Sequence, residues 1–175
     1  MKMICLTLFA SGCLFATAAQ AGDKTKPLRV CLVSGSLEYD SDGSLNRFQK
    51  HLEKHYVAEC SRAFIKTESD LPGLENLDAC DVMLLFTRRL KITGEQLERV
   101  KKYCLAGKPI VGIRTASHAF QNWKEWDRDV LGGNYQNHYA GNLPPAIRVV
   151  PGVTGHAILQ GVPAEFKTSG SLYKN

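Results

Sequence analysis

Three short, almost continuously apolar runs divide the chain into alternating segments. The runs occupy residues 28–33, 81–86 and 109–113. Apolar residues without strict alternation are typical of parallel strands covered on both faces. A weaker run at residues 58–65 predicts a flanking strand, and residues 146–150 predict another strand.

Two segments between these runs carry apolar residues at helical spacing. Residues 44–55 place Leu45, Phe48 and Leu52 on one stripe, with Ser44 as the expected cap. Residues 93–105 form the second predicted helix, with Thr93 at its start and Gly107 as the glycine that ends it. Strands alternating with helices over short links predict one α/β domain with a mainly parallel sheet between helices.

The segment from Gly107 to Phe120 combines a strand, a tight turn and an expected helix start. We call residues 112–116, at its centre, the elbow. α/β folds use this layout to present a reactive side chain. Class I glutamine amidotransferases place a nucleophilic cysteine there as G-x-C-x-G, but this chain reads Gly112-Ile113-Arg114-Thr115-Ala116. An arginine therefore stands where the nucleophile would be.

The first 21 residues resemble a signal peptide. Lys2 precedes a largely apolar run, and Ala19-Gln20-Ala21 has the small-x-small form of a cleavage site. We expect export to the periplasm or beyond, cleavage after Ala21, a mature domain of residues 22–175 and no stable membrane insertion. A membrane anchor and lipoprotein processing at Cys13 are the alternatives.

The charge of the chain suggests no polyanionic partner. The net charge is +5 at pH 7, spread along the sequence without a basic cluster interleaved with aromatic residues. We therefore expect no nucleic-acid binding. Pairs such as Arg88-Arg89 are most simply solvated.

Cysteines and histidines give no motif of a metal or redox site, because no C-x-x-C pair occurs. A Cys80–Cys104 disulfide is geometrically allowed in an exported protein, and Cys31 is expected to be a small buried side chain. His51 and His55 favour a solvated helix edge over a metal site, since the glutamate of H-E-x-x-H is missing. We expect no cofactor and no metal.

Residues 121–139 mix aromatic, amide and charged side chains. Such a mixture suits a sugar-binding wall, in which rings stack on C–H faces and polar groups bind hydroxyls. The alternative is a helix that places Trp123 and Trp126 in the core. The sequence leaves both interpretations open.

The same residues resemble the ThuA-like (trehalose utilisation) family over about residues 28–175. The similar segments are Gly112 to Phe120, Asn122-Trp123-x-x-Trp126-Asp127-x-x-x-Leu131-Gly132-Gly133, His138, His156-x-Ile158-x-x-Gly161-Val162-Pro163, Phe166 and Leu172-Tyr173. The resemblance implies a flavodoxin-like three-layer sandwich, as in class I glutamine amidotransferases. It also implies a role in the use of disaccharides, including oxidised 3-keto sugars.

The chain departs from the family pattern in two places. The family usually carries an acidic residue in a T-D-E-L-Y stretch, which here reads Thr168-Ser169-Gly170-Ser171-Leu172-Tyr173. The family also continues with further strands and a late histidine loop, so we expect a shortened relative or a fragment.

Ligands of open parallel sheets bind at the carboxyl ends of the strands. We expect three catalytic residues there: His138, His118 and Glu38. We expect substrate binding by Arg114, Ser117, Trp123, Asp127, Gly35 and Ser36.

Other roles stay open for several of these residues. Arg114 could instead pair with Asp127 or Glu38, and Ser117 could cap a helix. A metal site from His138, His156 and a carboxylate is a further alternative.

Three functions remain at this stage. The first is a keto-sugar enzyme that uses His138 and a carboxylate for proton transfer, and the second is a non-catalytic carbohydrate-binding domain. The third, a glutaminase, is disfavoured by Arg114. Whether the protein is an enzyme stays undecided.

Overall fold

A computed structural model describes residues 26–139 and 144–174 of the chain. The expected signal peptide and its cleavage site lie outside these residues. Within them, no helix is both long and apolar enough to cross a membrane.

The centre of the fold is a parallel sheet of four strands. Its strands are β1 (Leu28–Gly35), β2 (Ala58–Phe64), β3 (Val82–Thr87) and β4 (Ile110–Gly112). They are ordered β2-β1-β3-β4, so β1 and β3 are central and β2 flanks them as predicted. The expected mainly parallel sheet is confirmed.

The two central strands alternate between two hydrophobic cores. Cys31, Val33, Met83 and Leu85 belong to one cluster, while Val30, Leu32, Leu84 and Phe86 belong to the other. Successive side chains of a strand point to opposite faces, so both faces of β1 and β3 must be covered. This explains why the two sequence runs are continuously apolar.

One helix covers each face, which completes the three expected layers. Helix α1 (Ser41–His55) places Leu45 in the core, whereas Phe48 on the same stripe is 37% exposed. Helix α2 (Gly94–Leu105) buries Leu97, Val100 and Tyr103 on the other side.

The start of α1 differs from the prediction. Asp40, not Ser44, is the cap: its carboxylate accepts a hydrogen bond from the Gly43 amide at 3.1 Å, and the helix begins at Ser41. An aspartate in this position satisfies a free helix-start amide as well as a serine does. Thr93 precedes α2, but its side chain makes no capping bond, and Gly107 follows α2 with φ +68°.

The predicted buried strand before the elbow is more exposed than expected. β4 is the last strand of this sheet within the described chain, and Val111 is 51% exposed. The apolar run at residues 109–113 therefore reflects one covered face rather than two.

The remaining strands form two antiparallel ribbons outside the main sheet. β5 (Asn137–His138) pairs with β8 (Tyr173–Lys174), and β6 (Ala146–Arg148) pairs with β7 (Glu165–Lys167). The strand predicted at residues 146–150 is therefore present, but it does not join the parallel sheet. Short 3₁₀ helices span Leu37–Tyr39, Leu74–Asp78, Arg114–His118 and Ala157–Leu159, and a π-helical turn spans Asp127–Leu131.

The cysteines are all free thiols in the described chain, so the allowed Cys80–Cys104 disulfide is not formed. Cys80 is buried, and its Sγ donates to the Leu77 carbonyl at 3.7 Å instead. Cys31 is fully buried, as predicted, and burial raises the pKa of its thiol to about 12.

An ion pair joins the starts of β1 and β3, and it affects the stability of the fold in acid. Arg29 donates to Asp81 from its guanidinium at 2.6 Å and from its amide at 2.9 Å. These bonds lower the pKa of Asp81 from 3.8 to about 2. The stabilisation is therefore present above about pH 4 and lost as the pH falls towards 2.

We expect Asp81→Asn to flatten the acid dependence of the unfolding free energy between pH 4 and 2. Both side chains are substantially exposed, so the contribution should be below about 1 kcal/mol. Urea unfolding across this range measures it, with the exposed Glu125→Gln as the control. An unchanged acid profile in Asp81→Asn would contradict the assignment.

Candidate functional site

Backbone strain gathers at the carboxyl edge of the sheet. Within the described residues, the non-glycine positions with positive φ are Asp40 (46°), Arg89 (52°) and Arg114 (37°). They lie in the loops that follow β1, β3 and β4. Non-glycine residues rarely adopt this conformation, and it clusters at functional sites. The three loops therefore frame the candidate site.

Buried hydroxyl groups hold the loop after β1 in place. Ser34 donates to the carboxylate of Asp42 and lies 2.8 Å from the Ser41 hydroxyl, which accepts a bond from the Ser36 amide at 2.8 Å. Thr115 of the elbow donates to the Thr87 carbonyl at 2.8 Å. This network ties α1, β3 and the elbow to one another.

Two of the predicted substrate-binding residues lie under this network. Gly35 and Ser36 are buried, and a Cβ added at Gly35 would come within 3.1 Å of Leu90. The structure therefore places both beneath the loop rather than on an open surface. Gly35 serves close packing against the chain after β3.

The elbow forms the predicted sharp turn, but not the predicted start of a longer helix. Residues Arg114–His118 make a 3₁₀ helix of five residues. Ser117 makes no capping bond there, and its hydroxyl lies 3.0 Å from Nδ1 of His118. The capping alternative for Ser117 is therefore wrong.

The guanidinium group of Arg114 lies between two tyrosine rings. Its central carbon is 5.2 Å from the ring centroid of Tyr39 and 5.2 Å from that of Tyr173. Burial lowers its pKa, but hydrogen bonding to Tyr39 and nearby negative groups outweigh this and leave the pKa raised. Arg114 therefore stays charged, and its guanidinium neighbours both rings.

Glu38 is paired with a different arginine. Its carboxylate lies 2.8 Å from Nε of Arg88, which is half-buried rather than solvated as the sequence suggested. The alternative pairing of Arg114 with Glu38 or Asp127 is not observed. Glu38 still belongs to the site, because its charge raises the pKa of both Arg114 and His118.

His118 stacks on the aromatic loop that follows the elbow. Its ring lies 4.6 Å from Tyr135 and 6.2 Å from Tyr173, and these two tyrosines are 4.6 Å apart. Burial, followed by the positive charges of Arg89 and Arg88, lowers the pKa of His118 below 6.5. The imidazole is therefore neutral at pH 7 and able to accept a proton.

The two tryptophans of the aromatic loop have different roles. Trp126 is 1% exposed, packs edge-on against Phe120 and donates from Nε1 to the Ala116 carbonyl at 2.6 Å. The core interpretation is thus correct for Trp126. Trp123 is only half-buried, and Lys101 lies 5.9 Å from its ring.

A cleft of about 390 Å³ opens between the elbow and this loop. Its lining includes four of the predicted site residues together with the ring of Tyr135: Ser117, His118, Trp123 and Asp127. The Asp127 carboxylate accepts the Tyr135 amide at 2.7 Å, so it also fixes the loop that carries that ring.

His138 lies apart from the cleft lining. It is exposed on β5, directly opposite Tyr173 of β8. Opposed residues of an antiparallel pair project from the same face, so His138 borders the Tyr173 side of the site. No three His, Cys, Asp or Glu side chains of residues 26–139 and 144–174 are placed to hold a metal ion.

A second cleft, of about 550 Å³, lies at the amino edge of the sheet beside α2. Three of its charged residues are engaged with one another, since Arg99 pairs with Asp78 and Glu95. None of the predicted site residues lines it. The carboxyl edge of the sheet is therefore the better candidate for the functional site.

The sequence did not single out the three tyrosines that organise the site. Tyr39 comes shortly after β1, Tyr135 lies in the polar aromatic segment, and Tyr173 is 38 residues further along the chain. The position of Tyr39 shortly after the central strand β1 could have indicated that it belongs to the site. The approach of Tyr173 to Arg114 depends on long-range packing that no local pattern encodes.

Comparison with known proteins places this geometry in a family. The family model described as "ThuA: Trehalose utilisation" matches residues 29–174. The chain belongs to the ThuA family. No curated protein matches the sequence.

A solved structure shares the ThuA fold. It is the crystal structure of a protein named ThuA-like from Bacteroides uniformis ATCC 8492, with a TM-score of 0.61 and 17% identity. The match covers 89% of this chain and 64% of that one, so this chain spans about two thirds of its length. The flavodoxin-like three-layer sandwich is thereby confirmed.

The stretch in which this ThuA domain departs from the family pattern lies against Arg114. A Cβ added at Gly170, where φ is +99°, would lie 3.0 Å from Nη1 of Arg114, and Tyr173 covers a face of the same group. The segment without the expected acidic residue is thus part of the candidate site.

The position of His118 makes a prediction about its titration. Ring-proton NMR should show His118 with a pKa below 6.5, and Arg89→Gln should raise that pKa because it removes a neighbouring positive charge. Since a lowered pKa disfavours the protonated folded state, the unfolding free energy should rise with pH through this range. A value at or above 6.5 for His118 would contradict the geometry.

Proposed function

We propose that this ThuA domain is an exported protein that acts on a disaccharide or keto-sugar at the carboxyl edge of its sheet. The observation that carries the proposal is the cleft beside the elbow. It combines the rings of Tyr135 and Trp123 with His118 and Asp127. Sugar recognition needs apolar ring faces and hydrogen-bonding groups in the same wall.

The chemistry proposed for this site is proton transfer next to a ketone. A carbonyl group acidifies the hydrogen on the neighbouring carbon, so a base can remove that proton while the electron pair moves onto the carbonyl oxygen. A neutral His118 suits the base, and Arg114 offers a fixed positive charge for the developing oxyanion.

The geometry favours His118 over His138 for this role. His118 lines the cleft and is half-buried, whereas His138 is exposed on the β5 ribbon. His138 stays a predicted catalytic residue, with a position at the rim. Glu38 is the nearby carboxylate, held by Arg88.

A non-catalytic carbohydrate-binding domain is the alternative. It is favoured by the engagement of both nearby carboxylates, since Glu38 pairs with Arg88 and Asp127 accepts the Tyr135 amide. A binding domain would need the cleft but no free base. A glutaminase is not proposed, because the elbow residue is Arg114.

The test is calorimetric titration of the protein with a 3-keto-disaccharide and with its unoxidised parent, while products are followed by chromatography. We expect binding and conversion of the keto-sugar, with turnover reduced at least 100-fold in His118→Gln because the base is lost. His138→Gln tests the rim residue in the same assay, and His51→Gln on α1 is the matched control.

The outcomes separate the two functions. Binding that depends on Trp123 without any conversion would favour the recognition domain. A folded protein that binds neither sugar would contradict the carbohydrate proposal altogether.

A further inference from the structure

Arg114 differs from most arginines of the described chain in having no carboxylate partner. Carboxylates lie within 4 Å of Arg29, Arg47, Arg88, Arg99, Arg128 and Arg148. Across residues 26–139 and 144–174, none lies within that distance of Arg114. Its positive charge is therefore not neutralised by a direct ion pair in this part of the protein.

The surroundings of Arg114 restrict how its guanidinium can be used. Its central carbon lies over the rings of Tyr39 and Tyr173, 5.2 Å from each ring centroid. A hydrogen bond to Tyr39 uses part of its set of N–H donors, and the other N–H groups can donate to a ligand. A planar fork of this kind matches the two oxygens of a carboxylate or phosphate.

The backbone of Arg114 is also held in an uncommon conformation. Its φ of +37° is unfavourable for a residue with a side chain. Strained positions with a fixed polar side chain are typical of ligand-binding sites.

The local field adds to this preference for anions. Arg88 and Arg89 both lower the pKa of His118, which shows that their positive charges reach the cleft. The negative charges of Asp127 and Glu38 act on His118 in the opposite direction, but Arg88, Arg89 and Arg114 outnumber these two carboxylates at the edge. An anion that enters this region meets a positive potential.

Arg114 does not line the cleft itself, but it and the cleft residue His118 neighbour the same tyrosine ring. Tyr173 joins them, with Arg114 at 5.2 Å and His118 at 6.2 Å from its ring. A sugar ring at His118 could therefore carry an anionic substituent that reaches Arg114.

We propose that Arg114 binds an oxyanion, carboxylate or phosphate, on the carbohydrate ligand, so that the site selects acidic sugars over neutral ones. This inference rests on the proposed carbohydrate function, because the cleft supplies the sugar half of the site. It goes further by assigning the charge of the substrate and the residue that binds it.

The experiment compares a neutral sugar with acidic sugars and with a simple anion. The protein is titrated in low salt with methyl β-glucoside, methyl β-glucuronide, glucose 6-phosphate and acetate. We expect at least one acidic sugar to bind tenfold or more tightly than the glucoside. Tighter binding of the glucuronide assigns a carboxylate, and tighter binding of the phosphate ester assigns a phosphate.

Variants of Arg114 and Arg89 distinguish direct contact between Arg114 and the anion from the general effect of nearby positive charge on affinity. Arg114→Gly removes the fork without backbone strain, so it should fold and lose the tenfold preference. Arg114→Lys keeps the charge without the planar fork and should retain a partial preference. Arg89→Gln is the exposed control. It should change the affinity for acidic sugars only about twofold, because it removes a nearby positive charge but no direct contact.

Failure of this inference can be told apart from failure of the carbohydrate proposal. Equal affinity for neutral and acidic sugars would overturn the anion assignment and leave the sugar site standing. An acidic preference unchanged in Arg114→Gly would overturn the role of Arg114. Acetate bound as tightly as the acidic sugars would leave an anion site but contradict a carbohydrate ligand.

Discussion

The candidate site is organised around Arg114, whose guanidinium carbon lies over the rings of Tyr39 and Tyr173. Tyr39 belongs to the loop after β1, Arg114 to the turn after β4, and Tyr173 to the ribbon strand β8. One side chain thus joins three segments that are distant along the chain. Most of residues 144–174 are exposed, so this contact supports β8 together with its pairing to β5 and the packing of Tyr173 on Tyr135.

The sheet provides the rigid support for that contact. Because β1 and β3 bury both of their faces, the loops at their carboxyl ends leave from fixed points. The buried hydroxyls of Ser36 and Thr115 then fix the two loops against each other. The strained backbone at Asp40, Arg89 and Arg114 is tolerated because the sheet and these hydrogen bonds hold the neighbouring backbone in place.

The sequence predicted the fold well because apolar periodicity reports burial directly. It placed β1, β3, α2 and the flanking β2 close to their observed bounds. It missed the cap of α1, since aspartate and serine compete for the same position, and it overestimated the burial of β4. It also predicted that Arg114 and His118 lie at the carboxyl edge of the sheet, and the structure places both there. The tyrosine contacts with Arg114 depend on chain segments up to 134 residues apart, as between Tyr39 and Tyr173, which local patterns do not encode.

A double-mutant cycle with Arg114→Ala and Tyr173→Leu, measured by urea unfolding, tests whether Arg114 helps to hold the β8 segment through Tyr173. We expect a coupling free energy of about 0.5–2 kcal/mol, as for a cation that lies over an aromatic ring. Additive effects of the two substitutions would contradict this interaction, because the side chains would then not interact in the folded protein.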